Sequence, residues 1–95
     1  MKNLTFEQKE SLCYFSHPKH LDTLVSDKNS NVRCQVAKYG NDKHRDILVH
    51  DKNPAVRCDV AWKANEDQAR KLFNYKNEWV KDTAKRRLKT LGIKP

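Results

Sequence analysis

The chain has 95 residues, one domain's worth, and its 37% hydrophobic and 34% charged residues with only 2 Gly and 3 Pro exclude a disordered tail and favour helices. The longest aliphatic run, Ile47-Leu48-Val49, is far too short to span a bilayer, and residues 1–7 lack the apolar core of a signal peptide, so a soluble, cytoplasmic protein without a membrane partner is expected. The net charge of +8 is uneven: residues 69–95 carry nine Lys/Arg against Glu78 and Asp82, which suits an anionic partner or, equally, a solvated basic face.

In chain order, Thr5 with Gln8 has the pattern of a capping box. Short helices are expected over about residues 19–26, 30–39, 43–50, 54–64, 66–74 and 78–91. Tyr39-Gly40-Asn41 closes one helix and opens the next. Asn53 suits an N-cap, with Pro54 in the first helical turn. Asn65 with Gln68 forms another capping box, and Glu66-Asp67 sit where carboxylates complement a helix dipole.

Self-similarity sets the architecture. Residues 20–37 (HLDTLVSDKNSNVRCQVA) and 44–61 (HRDILVHDKNPAVRCDVA) align without a gap at an offset of 24. Downstream, Leu72-Phe73, Lys76-Asn77, Val80-Lys81 and Ala84 keep the frame; upstream, Leu12-Cys13 and Lys19-His20 do. The expectation is one all-α domain over residues 1–95: a half repeat at 1–18, repeats at 19–42 and 43–66, and a third repeat with its cap at 67–95, about three and a half repeats in all.

The elements Leu24-Val25-x-Asp27-x4-Val32-Arg33-x2-Val36-Ala37 and Leu48-Val49-x-Asp51-x2-Pro54-x-Val56-Arg57-x2-Val60-Ala61 resemble HEAT-like repeats, most nearly the short form called the leucine-rich repeat variant. The resemblance spans roughly residues 8–91 and implies a right-handed superhelix, an α-solenoid. Fold precedent in that family favours a protein partner, whereas charge favours nucleic acid. One form of the family carries an iron–sulfur cluster on a cysteine-rich N-terminal segment, a feature not found in this sequence, so no cofactor is expected.

Around an ideal helix, Val56, Val60, Ala61 and Ala64 fall on one side and Cys58, Asp59, Trp62 and Lys63 on the other. Cys34 and Cys58 are therefore expected at one exposed position, too far apart for a disulfide. Lys85 replaces the small Ala37 and Ala61, as suits a terminal repeat. Arg57 falls inside the apolar arc, so Arg33 and Arg57 are expected to lay their stems on the core and pair with Asp27 or Asp51 as a structural ladder, lost where Tyr75 and Lys81 stand instead.

Solvent-facing positions should line up between repeats about 8–10 Å apart. One row is Lys38, Trp62 and Arg86; a second is Tyr39, Lys63 and Arg87; Arg70, Lys71, Lys85 and Lys89 extend the patch. Cations interleaved with aromatics suit nucleic acid or an acidic protein surface, alone or within a larger complex. The competing reading packs Trp62 on Cys58 or a loop and leaves the cations solvated.

Cys13, His17 and His20 would share a helical face and hold a metal, the basis of an alternative redox or enzymatic reading, but Pro18 breaks that helix and a fourth ligand is missing. The three cysteines, odd in number and widely spaced, speak against a disulfide framework. The sequence contains no Gly-rich phosphate loop, Gly-x-Ser-x-Gly or His-Glu-x-x-His, and no residue takes the role of acid, base or nucleophile. The expected function is a non-catalytic binding module without a small-molecule substrate.

Overall fold

Asparagine punctuates this chain at every twelfth residue. Asn29, Asn41, Asn53, Asn65 and Asn77 are each an N-cap, their side chains accepting from the backbone N–H groups of Asn31, His44, Ala55, Gln68 and Val80. Each thereby satisfies one of the donors that a helix start leaves orphaned. The computed structural model describes residue 5 and residues 7–9 and 18–93. Its helices are α1 (Pro18–Leu24), α2 (Ser30–Tyr39), α3 (Asp42–Leu48), α4 (Pro54–Lys63), α5 (Glu66–Phe73) and α6 (Glu78–Thr90), with no strand among the described residues.

Capping explains why such short helices hold. Asn65 and Gln68 form the expected box, and so do Thr5 and Gln8, with Thr5 N–H donating to Gln8 Oε1 at 2.9 Å. Asn41 and His44 form another, in which His44 Nδ1 accepts from Asn41 N–H. Pro54 stands in the first turn of α4. At Gly40 an added Cβ would lie 2.6 Å from the Val36 carbonyl oxygen and 3.0 Å from the His44 ring, so only glycine fits between α2 and α3. α6 ends at Gly92, whose φ of 79° is left-handed; Gly92 and Ile93 donate to the Lys89 and Leu88 carbonyls, and Ile93 packs on the Leu88 cluster.

The core repeats with the sequence. Leu24, Leu48 and Leu72 are buried, as are Val32, Val56 and Val80, then Val36, Val60 and Ala84. The main packing runs α2 against α4, α4 against α6, and α5 against α6, and the body measures 43 × 22 × 17 Å. Burying a Leu or Val contributes roughly 1.5–3 kcal/mol, so these rows supply most of the cohesion. Lys85 is exposed at the place where Ala37 and Ala61 are fully buried.

Cys58 corrects the helical wheel. It is 2% exposed, and Cys34 is half-buried against the core. The physical reason is that α4 is flanked on both sides, by α2 and by α6. Its buried arc therefore exceeds one stripe and takes in Arg57 and Cys58 beside Val56, Val60 and Ala61. Cys34 and Cys58 are both free thiols.

Candidate functional site

Two polar ladders with the 24-residue period set the register of the surface. In the first, Lys9 Nζ donates to Asp27 Oδ2 at 2.7 Å, and Arg33 Nε donates to Asp51 Oδ2 at 2.7 Å. Lys9 is the 24-residue equivalent of Arg33, so each cation reaches the acid of the following repeat. Burial pushes the Asp27 carboxyl up, but the Lys9 ammonium, the Asn29 N–H and the nearby Arg33 outweigh it and hold its pKa below the ordinary value.

Arg57 departs from the expected pairing. Its Nη1 donates to the backbone oxygen of Asp51, and its guanidinium stands 4.4 Å from the centre of the Tyr75 ring. Tyr75 occupies the place of Asp27 and Asp51, so the rung survives as a cation–π contact where a carboxylate is absent. The Asp51 carboxylate is meanwhile taken by Arg33 of the preceding repeat.

The second ladder joins first helices. His44 Nε2 lies 2.7 Å from Asp22 Oδ1, and Gln68 Nε2 donates to Asp46 Oδ1 at 2.8 Å. Because His44 Nδ1 accepts from Asn41 N–H, its ring proton belongs on Nε2 and points at Asp22. His44 thus serves both to cap its helix and to reach back one repeat.

Above this frame, Lys38, Trp62 and Arg86 are all exposed, as the row requires. Trp62 is 64% exposed. With Ala61, Thr83, Arg86, Arg87 and Thr90 it lines a cleft of roughly 150 Å³ between α4 and α6. Trp79, 58% exposed, was not anticipated; its signal is the i, i+3, i+7, i+10 spacing of Trp79, Asp82, Arg86 and Lys89 on the exposed side of α6. Arg86 pairs with Asp82 at 3.1 Å, an exposed contact of little strength. Lys63, Lys85 and Lys89 are exposed and take part in none of the ion pairs among the described residues.

Other expected members lie elsewhere or have other work. Arg87 is half-buried, and its Nε donates to the Ala64 carbonyl at 2.7 Å, tying α6 to the end of α4. Tyr39 is half-buried against the core. Arg70 and Lys71 pair within α5 with Glu66 and Asp67, and Arg70 lines a different cleft with Phe73, Asn74 and Leu88. The patch therefore narrows to the outer sides of α4 and α6.

The thiols are quiet. Burial, reinforced by the Asp59 carboxylate, pushes Cys34 up to about 12, and burial also raises Cys58, which hydrogen-bonds with Thr83. Cys13 and His17 lie outside the described residues, so their grouping with His20 has no geometry here. Among the described residues no three His, Cys, Asp or Glu side chains gather as a metal site. No helix among them is long and apolar enough to cross a membrane. No protein-family model, curated protein or solved structure matches the chain.

Proposed function

We propose that the chain is a non-catalytic binding module, an α-solenoid of the HEAT-like, leucine-rich-repeat-variant kind, and that its partner is nucleic acid. The observation that carries the partner is the exposed indole of Trp62 sharing one cleft with Arg86, on a protein whose Lys63, Lys85 and Lys89 are exposed and enter none of the ion pairs among the described residues. Cations hold phosphates and a ring face takes a base or sugar. The solenoid reading is supported by core rows and polar rungs that recur every 24 residues. A cytoplasmic setting fits thiols that stay free.

The test is fluorescence anisotropy of labelled nucleic acids at low and physiological salt. Engaging about four phosphates should make the logarithm of affinity fall with the logarithm of salt at a slope near −3. Lys63→Glu, Arg86→Glu and Lys89→Glu together should abolish binding while helicity and melting hold. Arg87 is left out of that set because its hydrogen bond to Ala64 makes it structural. Unchanged affinity in the folded triple variant would place the interface elsewhere. Absence of binding at low salt would return the module to an acidic protein partner.

A further inference from the structure

Trp62 and Trp79 are the most exposed large hydrophobic side chains among the described residues, ahead of Ile47 and Leu91. Both stand on the outer side of the second helices of their pairs, Trp62 near the end of α4 and Trp79 at the start of α6. Along α6, Trp79 and Arg86 are two turns apart, about 10 Å, and Arg86 shares the cleft with Trp62. Arg86 thus links the two rings, sharing α6 with Trp79 and the cleft with Trp62. Small residues floor the cleft at Ala61 and Thr83, so a flat group can approach the backbone closely. The exposed Thr90 hydroxyl donates to the Arg86 carbonyl, leaving its oxygen as an acceptor.

A duplex hides its base faces in its own stack and presents phosphates and groove edges. Its recognition has no use for two solvent-facing indoles on a short ridge. A single strand offers unpaired base faces, and each base stacked on an aromatic side chain adds sequence-tolerant affinity. Resting on the nucleic-acid reading above, we infer that the partner is single-stranded: bases stack on Trp62 and Trp79 while the backbone between them is held by Arg86, Lys63 and Lys89. Asp82 is the acid that pairs with Arg86, and this exposed pair opens when a phosphate arrives.

The experiment uses the intact chain with a labelled twelve-nucleotide single-stranded DNA, the RNA of the same sequence and the corresponding DNA duplex, at low and at physiological salt. Single strands are expected to bind at least tenfold tighter than duplex, and the DNA and RNA arms distinguish which strand is preferred. Trp62→Ala and Trp79→Ala should each weaken single-strand binding roughly 5- to 150-fold, with duplex binding and the thermal melt unchanged. Trp62→Phe keeps a ring and should retain most of the affinity, and Asp82→Asn should tighten binding several-fold. Equal binding of duplex and single strand, insensitive to both Trp substitutions, would overturn the single-strand inference and leave the nucleic-acid reading standing. No binding to any of the three at low salt would overturn both.

Discussion

Arg33 holds Asp51 eighteen residues further on, with Nε 2.7 Å and Nη2 3.3 Å from the two carboxylate oxygens. The side chains are 12% and 8% exposed, so this is a forked pair at a nearly dry repeat junction. Arg33 Nη1 also donates to the Asp27 carbonyl at 2.7 Å. One guanidinium thus ties the loop before its own helix to the same loop of the next repeat.

Removing one partner of such a pair leaves a buried charge uncompensated. Arg33→Ala is expected to destabilise the fold by about 3–5 kcal/mol. Arg70→Ala, which breaks an exposed pair with Glu66 within α5, should cost less than about 1 kcal/mol. Urea unfolding followed by far-UV circular dichroism compares the two; equal losses would mean that the Arg33–Asp51 junction adds nothing beyond a surface pair.

Tyr75 has two contributions that can be separated. Its ring receives the Arg57 guanidinium, and its hydroxyl donates to the Val49 carbonyl at 3.1 Å. Tyr75→Phe keeps the ring and should cost about 1 kcal/mol for the lost hydrogen bond. Tyr75→Ala should cost several times more, since it also removes the ring from the Arg57 guanidinium. Tyr75→Asp restores the residue type found at Asp27 and Asp51 and should recover part of that loss. Thermal melts of the three variants decide it, and an Asp variant no better than Ala would refute the equivalence of the rungs.

His44 and Gln68 perform the same two tasks one repeat apart, closing a capping box and reaching an aspartate of the preceding repeat. His44→Gln is therefore expected to stay within about 1 kcal/mol of the parent, whereas His44→Ala loses the cap contact, the rung and packing volume, about 2–3 kcal/mol together. Chemical denaturation of both variants is the measurement; a Gln variant as unstable as Ala would show that the imidazole shape itself is needed.

The thiols give the protein an alkaline weakness. With Cys34 raised to about 12 and Cys58 raised as well, the native state keeps protons that the unfolded chain releases from about pH 9. The native state then binds more protons than the unfolded one, so stability falls as pH rises above about 9, towards 12 for Cys34. Cys34→Ala with Cys58→Ala should flatten the stability profile between pH 8 and 10. In a Cys13→Ser background, modification of Cys34 by a disulfide reagent at pH 8 should run at least tenfold slower than that of an ordinary cysteine. A steep profile that survives the double substitution would assign the alkaline loss to other groups.

The sequence by itself determined the helices, their order and the core. Caps act within three residues and the apolar rows recur at a fixed period, so Asn53, Pro54, Asn65, Leu24, Leu48 and Leu72 were readable from local pattern. It also marked Lys38, Trp62 and Arg86 as an exposed row, and Lys85 as the exposed substitute for a buried alanine. Tertiary structure alone decided what happens between repeats. Cys58 is buried because α4 has neighbours on two sides, which a single-helix wheel does not contain. Arg57 meets Tyr75 because each cation of the ladder reaches the acid position of the following repeat, where Tyr75 stands in place of Asp27 and Asp51. Arg87 is drawn from the surface patch to the Ala64 carbonyl, while Trp79 joins it, because side-chain reach and helix packing set the surface and the 24-residue frame sets only the candidates.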